Sequence, residues 1–551
     1  MSVVRVPALI VGAGAAGLTA SVLLAKHGVS SLLVEKRHET FIYPKARNLS
    51  FRSLEIFRGL GLGDQVHAVA DRVSDMVVKP TLNSAEEKLA IDIDAFFAGL
   101  GQLSPEPAAQ YCPQSSLEPI LLAETRRRGS EVRYGTELRS FEQDDTGVTA
   151  VLGELYSGGD QTVRADYLIA ADGVHSGIRE SLGVTTSGCG ALPIFVVFIY
   201  FRGPWRRFVP HLNDGDGVQV KNPDVDGIFL VAKDDLGMFL TTYFPDRGET
   251  AAQFTSQHCS EVLAQAVGEQ IGLEIIEAAT WQPYEQVADQ FQCGRVFLVG
   301  DSGHTMPPFK AGGANTAIQS AHNLAWKLAA VLGGTANESL LASYHAERHP
   351  VGRFAARQSL TGPTVALIDL DDQSPGLPPE EEASMFSLLV GYQYRSAAVV
   401  SDHPEPDDAD AVSLVDELGG QPGTRLPHAW VQRAGHRLST LDLVGPGFTL
   451  FTGSSGAAWA NAAAAVSATL GVPIDVHSIS ADGEIRDIEG RWARLSGLSP
   501  DEALLVRPDG FVAWRTGAHG PKPEDRLSEV LCQILGRGHG SDALAKPLPT
   551  G

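Results

Sequence analysis

Residues 6–11, VPALIV, run without a break into Gly12-Ala13-Gly14-Ala15-Ala16-Gly17, and the small-residue segment 18–26 follows at helical spacing. Few patterns restrict a chain more than a strand, a GxGxxG turn and a helix in that order. Gly12 permits the tight turn, Gly14 leaves room for a pyrophosphate, and Gly17 lets helix and sheet approach closely, while N–H groups at the helix start face the phosphate charge. A second strand over 31–34 ends at Glu35, 18 residues beyond Gly17. A carboxylate there accepts ribose hydroxyls and repels a 2′-phosphate, so FAD or NAD fits better than NADP. The unit is βαβ, which implies a parallel sheet covered by helices. Gly12, Gly14, Ala16, Gly17, Glu35 and Lys36 are its candidate cofactor-binding residues.

The charge balance limits the partners. Acidic residues outnumber basic ones 66 to 43, a formal net charge of -23. Such a field repels nucleic acid and anionic membrane, so neither is expected as a partner. An anionic cofactor must then be held by local features, helix N-termini and single arginines. Cys112, Cys189, Cys259, Cys293 and Cys532 are scattered, without CxxC or metal spacing. They predict a reducing compartment, no structural disulfide and no metal site. The opening segment enters a glycine turn instead of a cleavage site, and no run of about 18 uncharged apolar residues occurs. The expectation is a soluble cytoplasmic protein, monomer or homodimer.

The 551 residues, 43% of them hydrophobic, have length for roughly three to four domains at about 150 residues each. From about 190 to 275 the texture changes to short Phe-, Val- and Tyr-rich strands, ALPIFVVFIYFRG, GIFLVAKDD and GMFLTTYFP, which predict an inserted antiparallel sheet. Its apolar wall suits a planar aromatic. The chain returns at the strand 295–299 and a long helix over 315–332. DLDDQSPGLPPEEEA reads as a solvated linker. The expected division is 1–183 and 281–360 for the cofactor domain, 184–280 for the inserted sheet, 361–410 for a linker and helical segment, and 411–551 for a C-terminal domain.

Two later motifs close strands. Asp172-Gly173-Val174-His175-Ser176 follows YLIAA, and Gly300-Asp301-Ser302 follows RVFLV. Asp301 falls just beyond a strand's carboxyl end, where open α/β sheets bind ligands, and a carboxylate there accepts from a ribityl hydroxyl. Gly312 and Gly313 let backbone lie against a flat ring, with a helix N-terminus favouring negative charge on it.

GAGAAG, Glu35, DGVHS and VGDSGH, in this order and spacing, resemble the group A flavoprotein aromatic hydroxylases, the para-hydroxybenzoate hydroxylase-like monooxygenases. Within them the whole chain is similar to bacterial phenol and aromatic polyketide hydroxylases. The resemblance implies an α/β fold: a GxGxxG FAD-binding fold with an inserted antiparallel-sheet substrate domain and a C-terminal thioredoxin-like domain. It places Arg47 near the FAD phosphates and Asp172 and Gly173 in a motif associated with both FAD and NADPH. Asp301 goes to the ribityl chain, Pro308 beside the isoalloxazine, and Gly313, Ala314 and Asn315 against the pyrimidine side of the ring.

The chain departs from the family where PPFKAGGANTA replaces the glycine-dense PPxGGxGxNTG, bringing in Phe309, Lys310, Ala311 and Ala317. The expected effect is altered flavin exposure or substrate room. The C-terminal domain holds only Cys532, so dithiol exchange within it is excluded. Residues 507–515, RPDGFVAWR, resemble the family's final-strand signature, with packing or dimer support as the expected role.

The implied activity is oxygenation of an electron-rich planar aromatic by O2, with FAD reduced by NADPH or NADH. Arg47 and Lys310 are candidate cationic contacts for the nicotinamide donor. Tyr243, Tyr200 and His211 are the candidate catalytic residues, since assisted deprotonation makes a phenol a better nucleophile. His304 lies closer to the flavin motifs, where a loop-stabilising role competes with catalysis. Two other readings share the scaffold: a Baeyer–Villiger-type oxygenase, and a non-catalytic flavin- or polyketide-binding protein.

Overall fold

A computed structural model of the chain describes residues 3–40, 48–73, 75–156, 158–213, 216–231, 236–310, 312–361, 381–401, 411–516 and 522–538. The strand Val4–Val11 pairs in parallel with Ser31–Glu35 on one side and Asp160–Ala170 on the other. Glu131–Tyr134 and Val296–Leu298 extend the parallel sheet outward. Ala8, Leu9 and Ile10 are wholly buried, because helices cover both faces of such a sheet; the strand therefore reads as a continuous apolar run without alternation. The helix Ala15–Lys26 packs against both Gln114–Arg127 and the long helix Gly312–Leu332.

The aromatic segment forms a second, seven-stranded sheet in the order 274–281, 195–202, 236–243, 226–231, 217–221, 76–79, 88–91. The last two strands come from the first stretch assigned to the cofactor domain, so this sheet reaches beyond 184–280. The helix Ser256–Val267 covers one face and joins Val197, Ile199, Phe201, Phe229 and Phe239 in a core. On the opposite face Tyr200, Leu230 and Met238 are buried among half-buried Phe198, Ile228 and Leu240.

In the C-terminal half, Phe448–Thr452 and Ile474–Ser480 are parallel and joined through the helix Ala457–Leu470. The antiparallel pair Ala503–Val506 and Val512–Arg515 then leads into the helix Pro523–Ile534. The core of this unit is continuous with Trp326, Ala336 and Leu340 of the preceding unit, so the two halves share buried apolar surface. Among the described residues no helix is long and apolar enough to cross a membrane.

Candidate flavin and substrate site

The glycine turn shows which of its positions need glycine for the fold and which leave space. Gly12 has φ +107°, and a methyl there would overlap the Ala171 carbonyl; one at Gly17 would overlap the Gly12 carbonyl. A methyl at Gly14 would be 3.8 Å from Glu118 Oε1 and 3.9 Å from Gln114 Nε2, ordinary contact at the edge of open space. Gly14 is also the N-cap of the helix Ala15–Lys26, and no side chain caps that end. Unbonded first-turn N–H groups with room above them fit a pyrophosphate.

Glu35 is buried beside this turn. Its Oε2 accepts from Ala13 N–H at 2.9 Å, and its Oε1 accepts from the Arg37 N–H at 2.9 Å and Nε at 3.0 Å. Burial pushes the carboxyl up, but the Arg37 and Ala13 hydrogen bonds outweigh it and hold Glu35 below its ordinary range. It is an ionised acceptor next to the phosphate turn. Lys36 points into solvent, and Arg47 lies outside the described residues.

The two aspartate motifs meet. The Asp172 carboxylate accepts from Ser176 Oγ at 2.6 Å and Ile178 N–H at 3.2 Å, which turns the chain sharply after its strand, with Gly173 at φ +91°. Burial raises the Asp172 carboxyl despite those bonds. Arg179, buried just beyond, donates to the carbonyls of both Val174 and Ser302 at 3.0 Å, tying the DG segment to the GD segment. Asp301 is exposed at the end of its strand, and the glycine before it allows close packing: a Cβ at Gly300 would be 2.9 Å from the Ala16 methyl and 3.4 Å from that of Ala317. The starts of the first and the long helix are thereby held side by side.

The long helix begins at Gly312, three residues earlier than the sequence suggested, so Gly312, Gly313 and Ala314 supply its unbonded first-turn N–H groups and Asn315 closes that turn. Pro308 is exposed in the 3-10 turn just before it. The Asn315 side chain faces the other way. Its Oδ1 accepts from Ser50 N–H at 2.9 Å, Ser50 Oγ at 3.2 Å and Ser53 Oγ at 2.6 Å, and its Nδ2 donates to the Asn48 carbonyl at 3.0 Å. Lys310 is buried and ion-paired to Glu382 at 2.9 Å, which corrects its expected role as a cationic contact open to a nicotinamide donor.

The three substrate-side candidates do not converge. Tyr200 pairs with Met238 and Tyr243 with Phe195, so strand alternation places the tyrosines on opposite faces of the inserted sheet. Tyr243 stacks on Phe195, with centroids 4.9 Å apart, in the core under the helix Ser256–Val267, where burial pushes its phenol up. His211 is exposed on a loop. Of the three, only Tyr200 lies on the face opposite that helix, where it is buried beside Leu230 and Met238.

Arg37, Gln114, Ser50, Ser53 and Arg179 escaped the sequence reading. Arg179 carried a local signal, as the charged residue two positions past DGVHS-Gly, and so did Arg37, two residues beyond Glu35; Gln114, Ser50 and Ser53 reach the site from distant segments.

A parallel sheet with a glycine turn, a buried ribose-type carboxylate, an aspartate at a strand end and two adjacent helix N-termini defines a dinucleotide-binding flavoprotein. The FAD binding domain family matches residues 5–359, and the aromatic-ring hydroxylase C-terminal family matches 419–538. The chain is 37% identical to tetracenomycin A2 monooxygenase-dioxygenase of Streptomyces glaucescens, over 98% of this chain and 99% of that one. It is 35% identical to aklavinone 12-hydroxylase RdmE of Streptomyces purpurascens, over 97% and 99%. A crystal structure of aklavinone-11 hydroxylase with FAD and aklavinone matches with a TM-score of 0.87 at 33% identity, covering 98% of this chain and all of that one. The chain belongs to the FAD-binding aromatic-ring hydroxylases and is an FAD-dependent monooxygenase.

Proposed function

We propose that this monooxygenase hydroxylates a bulky polycyclic phenol of the aromatic polyketide class, with NADPH or NADH as electron donor. One observation carries the substrate class: the face of the inserted sheet opposite the helix Ser256–Val267, where Phe198, Ile228 and Leu240 stand half-buried around the buried Tyr200. Half-exposed aromatic and branched side chains on a rigid sheet make a flat apolar wall that excludes water and orients a planar ring by its faces. The relatives named for tetracenomycin A2 and aklavinone, and the aklavinone-bound structure, support the same size and chemistry.

FAD, when bound, supplies electron transfer and oxygen activation. The chain's own residues bind and orient. First-turn N–H groups after Gly14 take the pyrophosphate, Glu35 the adenosine ribose, and Asp301 the ribityl chain. The N–H groups of Gly312 to Ala314 face the pyrimidine edge of the ring, with Pro308 beside it. Tyr200 is the substrate-side polar group, positioned to hold a phenolic hydroxyl; Tyr243 serves the sheet's own core. The βαβ then ββα order of the C-terminal half supports a thioredoxin-like domain whose role is structural.

The test uses the FAD-loaded protein with NADPH or NADH, O2 and hydroxylated anthracenes or naphthacenes, followed by mass spectrometry. A product with one added ring oxygen is expected. Lactone formation would point to ketone oxygenation, and flavin left oxidised by both nucleotides would point to a binding protein. Hydrogen exchange of the wild type with and without FAD checks the cofactor assignment, with added protection expected at the amides of 312–314.

A further inference from the structure

The long helix carries a buried polar stripe, Thr316, Gln319, Ser320, Asn323 and Lys327, spaced by three and four residues along one side of an otherwise apolar helix. Its partners come from the C-terminal half and the return helix Ala342–Gln358. Arg507, wholly buried in the RPDG turn, clamps two carboxylates: Glu347 through Nη1 at 2.5 Å and Nη2 at 2.9 Å, and Asp509 through Nε at 3.0 Å and Nη2 at 2.5 Å. Glu347 in turn accepts from Lys327 Nζ at 2.8 Å and Asn323 Nδ2 at 2.6 Å, both on the long helix. Asn323 also reaches Asp509 at 3.4 Å.

A second line of contacts leaves the same turn. The Asp509 carbonyl accepts from Arg52 Nη2 at 2.8 Å, and Arg52 lies between Ser50 and Ser53, the two residues that hold the Asn315 side chain at the helix's first turn. The RPDG turn thus grips the helix near its middle and, through Arg52, beside its start.

We propose that Arg507 is a positioning residue for the flavin, fixing the rotation and axial placement of the helix whose first turn faces the FAD ring. The inference rests on the reading of Gly312 to Asn315 as that turn. Two cations, Arg507 and Lys327, meet two anions, Glu347 and Asp509, with every side chain at most 1% exposed. Buried ion clusters of this kind are poor sources of net stability, since apolar residues of equal volume hold domains together as well or better. What a planar guanidinium fork adds is direction: it accepts one orientation of its carboxylates and so one rotation of the helix that carries their other partners. From Lys327 to Asn315 the rigid helix transmits that placement over about 18 Å.

The test is Arg507→Lys, which keeps the charge and removes the fork, with Lys327→Met/Glu347→Gln as a charge-balanced second variant that leaves Arg507 and Asp509 paired. Both are measured in the full chain for FAD affinity, the visible circular dichroism of bound flavin, and hydrogen exchange at 312–314. At least fivefold weaker FAD binding, an altered flavin dichroism and lost FAD-dependent protection are expected in whichever variant folds. Wild-type flavin affinity and dichroism in a folded variant, even one with a lowered Tm, would overturn the proposal and leave the cluster as interdomain glue. Lack of FAD protection at 312–314 in the wild type would remove the first-turn reading itself, and this inference with it.

Discussion

At Gly14 and Gly17 the same substitution should have opposite consequences, because one glycine leaves room for a ligand and the other for the chain. Gly17→Ala drives a methyl into the Gly12 carbonyl and should destabilise the fold even without cofactor. Gly14→Ala meets nothing closer than 3.8 Å and should leave the apo-protein's unfolding midpoint unchanged while weakening FAD binding at least tenfold. Paired denaturation and flavin titration check both. His304 gives a pH prediction. Burial, then the Arg348 charge, lowers its imidazole to about 3 from an ordinary 6.5. The folded protein therefore keeps His304 neutral while the unfolded chain takes up a proton as pH falls through 6.5. Stability is lost on going down through that window by about 1.4 kcal/mol per pH unit. His304→Gln should make the slope of unfolding free energy between pH 6.5 and 4.5 shallower by that amount, whatever it does to stability at pH 8.

At the scale of elements, the start of the long helix is fixed by one side chain reaching across the fold. Asn315→Ala removes the acceptor for Ser50 N–H and for the Ser50 and Ser53 hydroxyls. Hydroxyls reorient but the backbone N–H cannot, so a loss of roughly 1–3 kcal/mol is expected in urea denaturation. The sequence showed the helix but started it at Asn315, because the glycines before it read as a loop; the structure extends it to Gly312, where close packing against Met306 replaces the propensity that glycine lacks. The inserted sheet was legible from its Phe and Val texture. Its strands Met76–Lys79 and Lys88–Ile91 were not, because short strands with lysines at the end of a sheet lack an apolar period of their own and form by pairing to a strand 141 residues away, Val77 opposite Val218.

For the whole molecule, the two halves are joined by a continuous apolar core and by the Arg507, Glu347, Lys327 and Asp509 cluster. Burial pushes Glu347 up, but Arg507 and Lys327 outweigh it and hold its carboxyl well below 4.5. Its contribution is present above the ordinary carboxylate range and is lost as pH falls through that range toward the lower folded value, where the unfolded chain binds the extra proton. Glu347→Ala strands Arg507 and Lys327 as buried cations and should cost roughly 3–5 kcal/mol near neutral pH. Differential scanning calorimetry should show the lowered Tm, and the variant's acid dependence below pH 4.5 should be weaker than the wild type's.

By itself the sequence determined the FAD-type βαβ unit, the two aspartate motifs and the aromatic insert. Each of these is a local requirement on backbone: a turn that only glycine makes, a carboxylate at a strand end, a branched or aromatic run. Tertiary structure alone decided that Tyr200 and Tyr243 lie on opposite faces, that Lys310 is engaged by Glu382, and that Arg507 reaches the helix behind the flavin turn. Strand parity between distant segments depends on register, and a buried charge takes its partner from whatever the topology brings alongside. Arg507 and Glu347 are separated by 160 residues and meet only once both domains are packed.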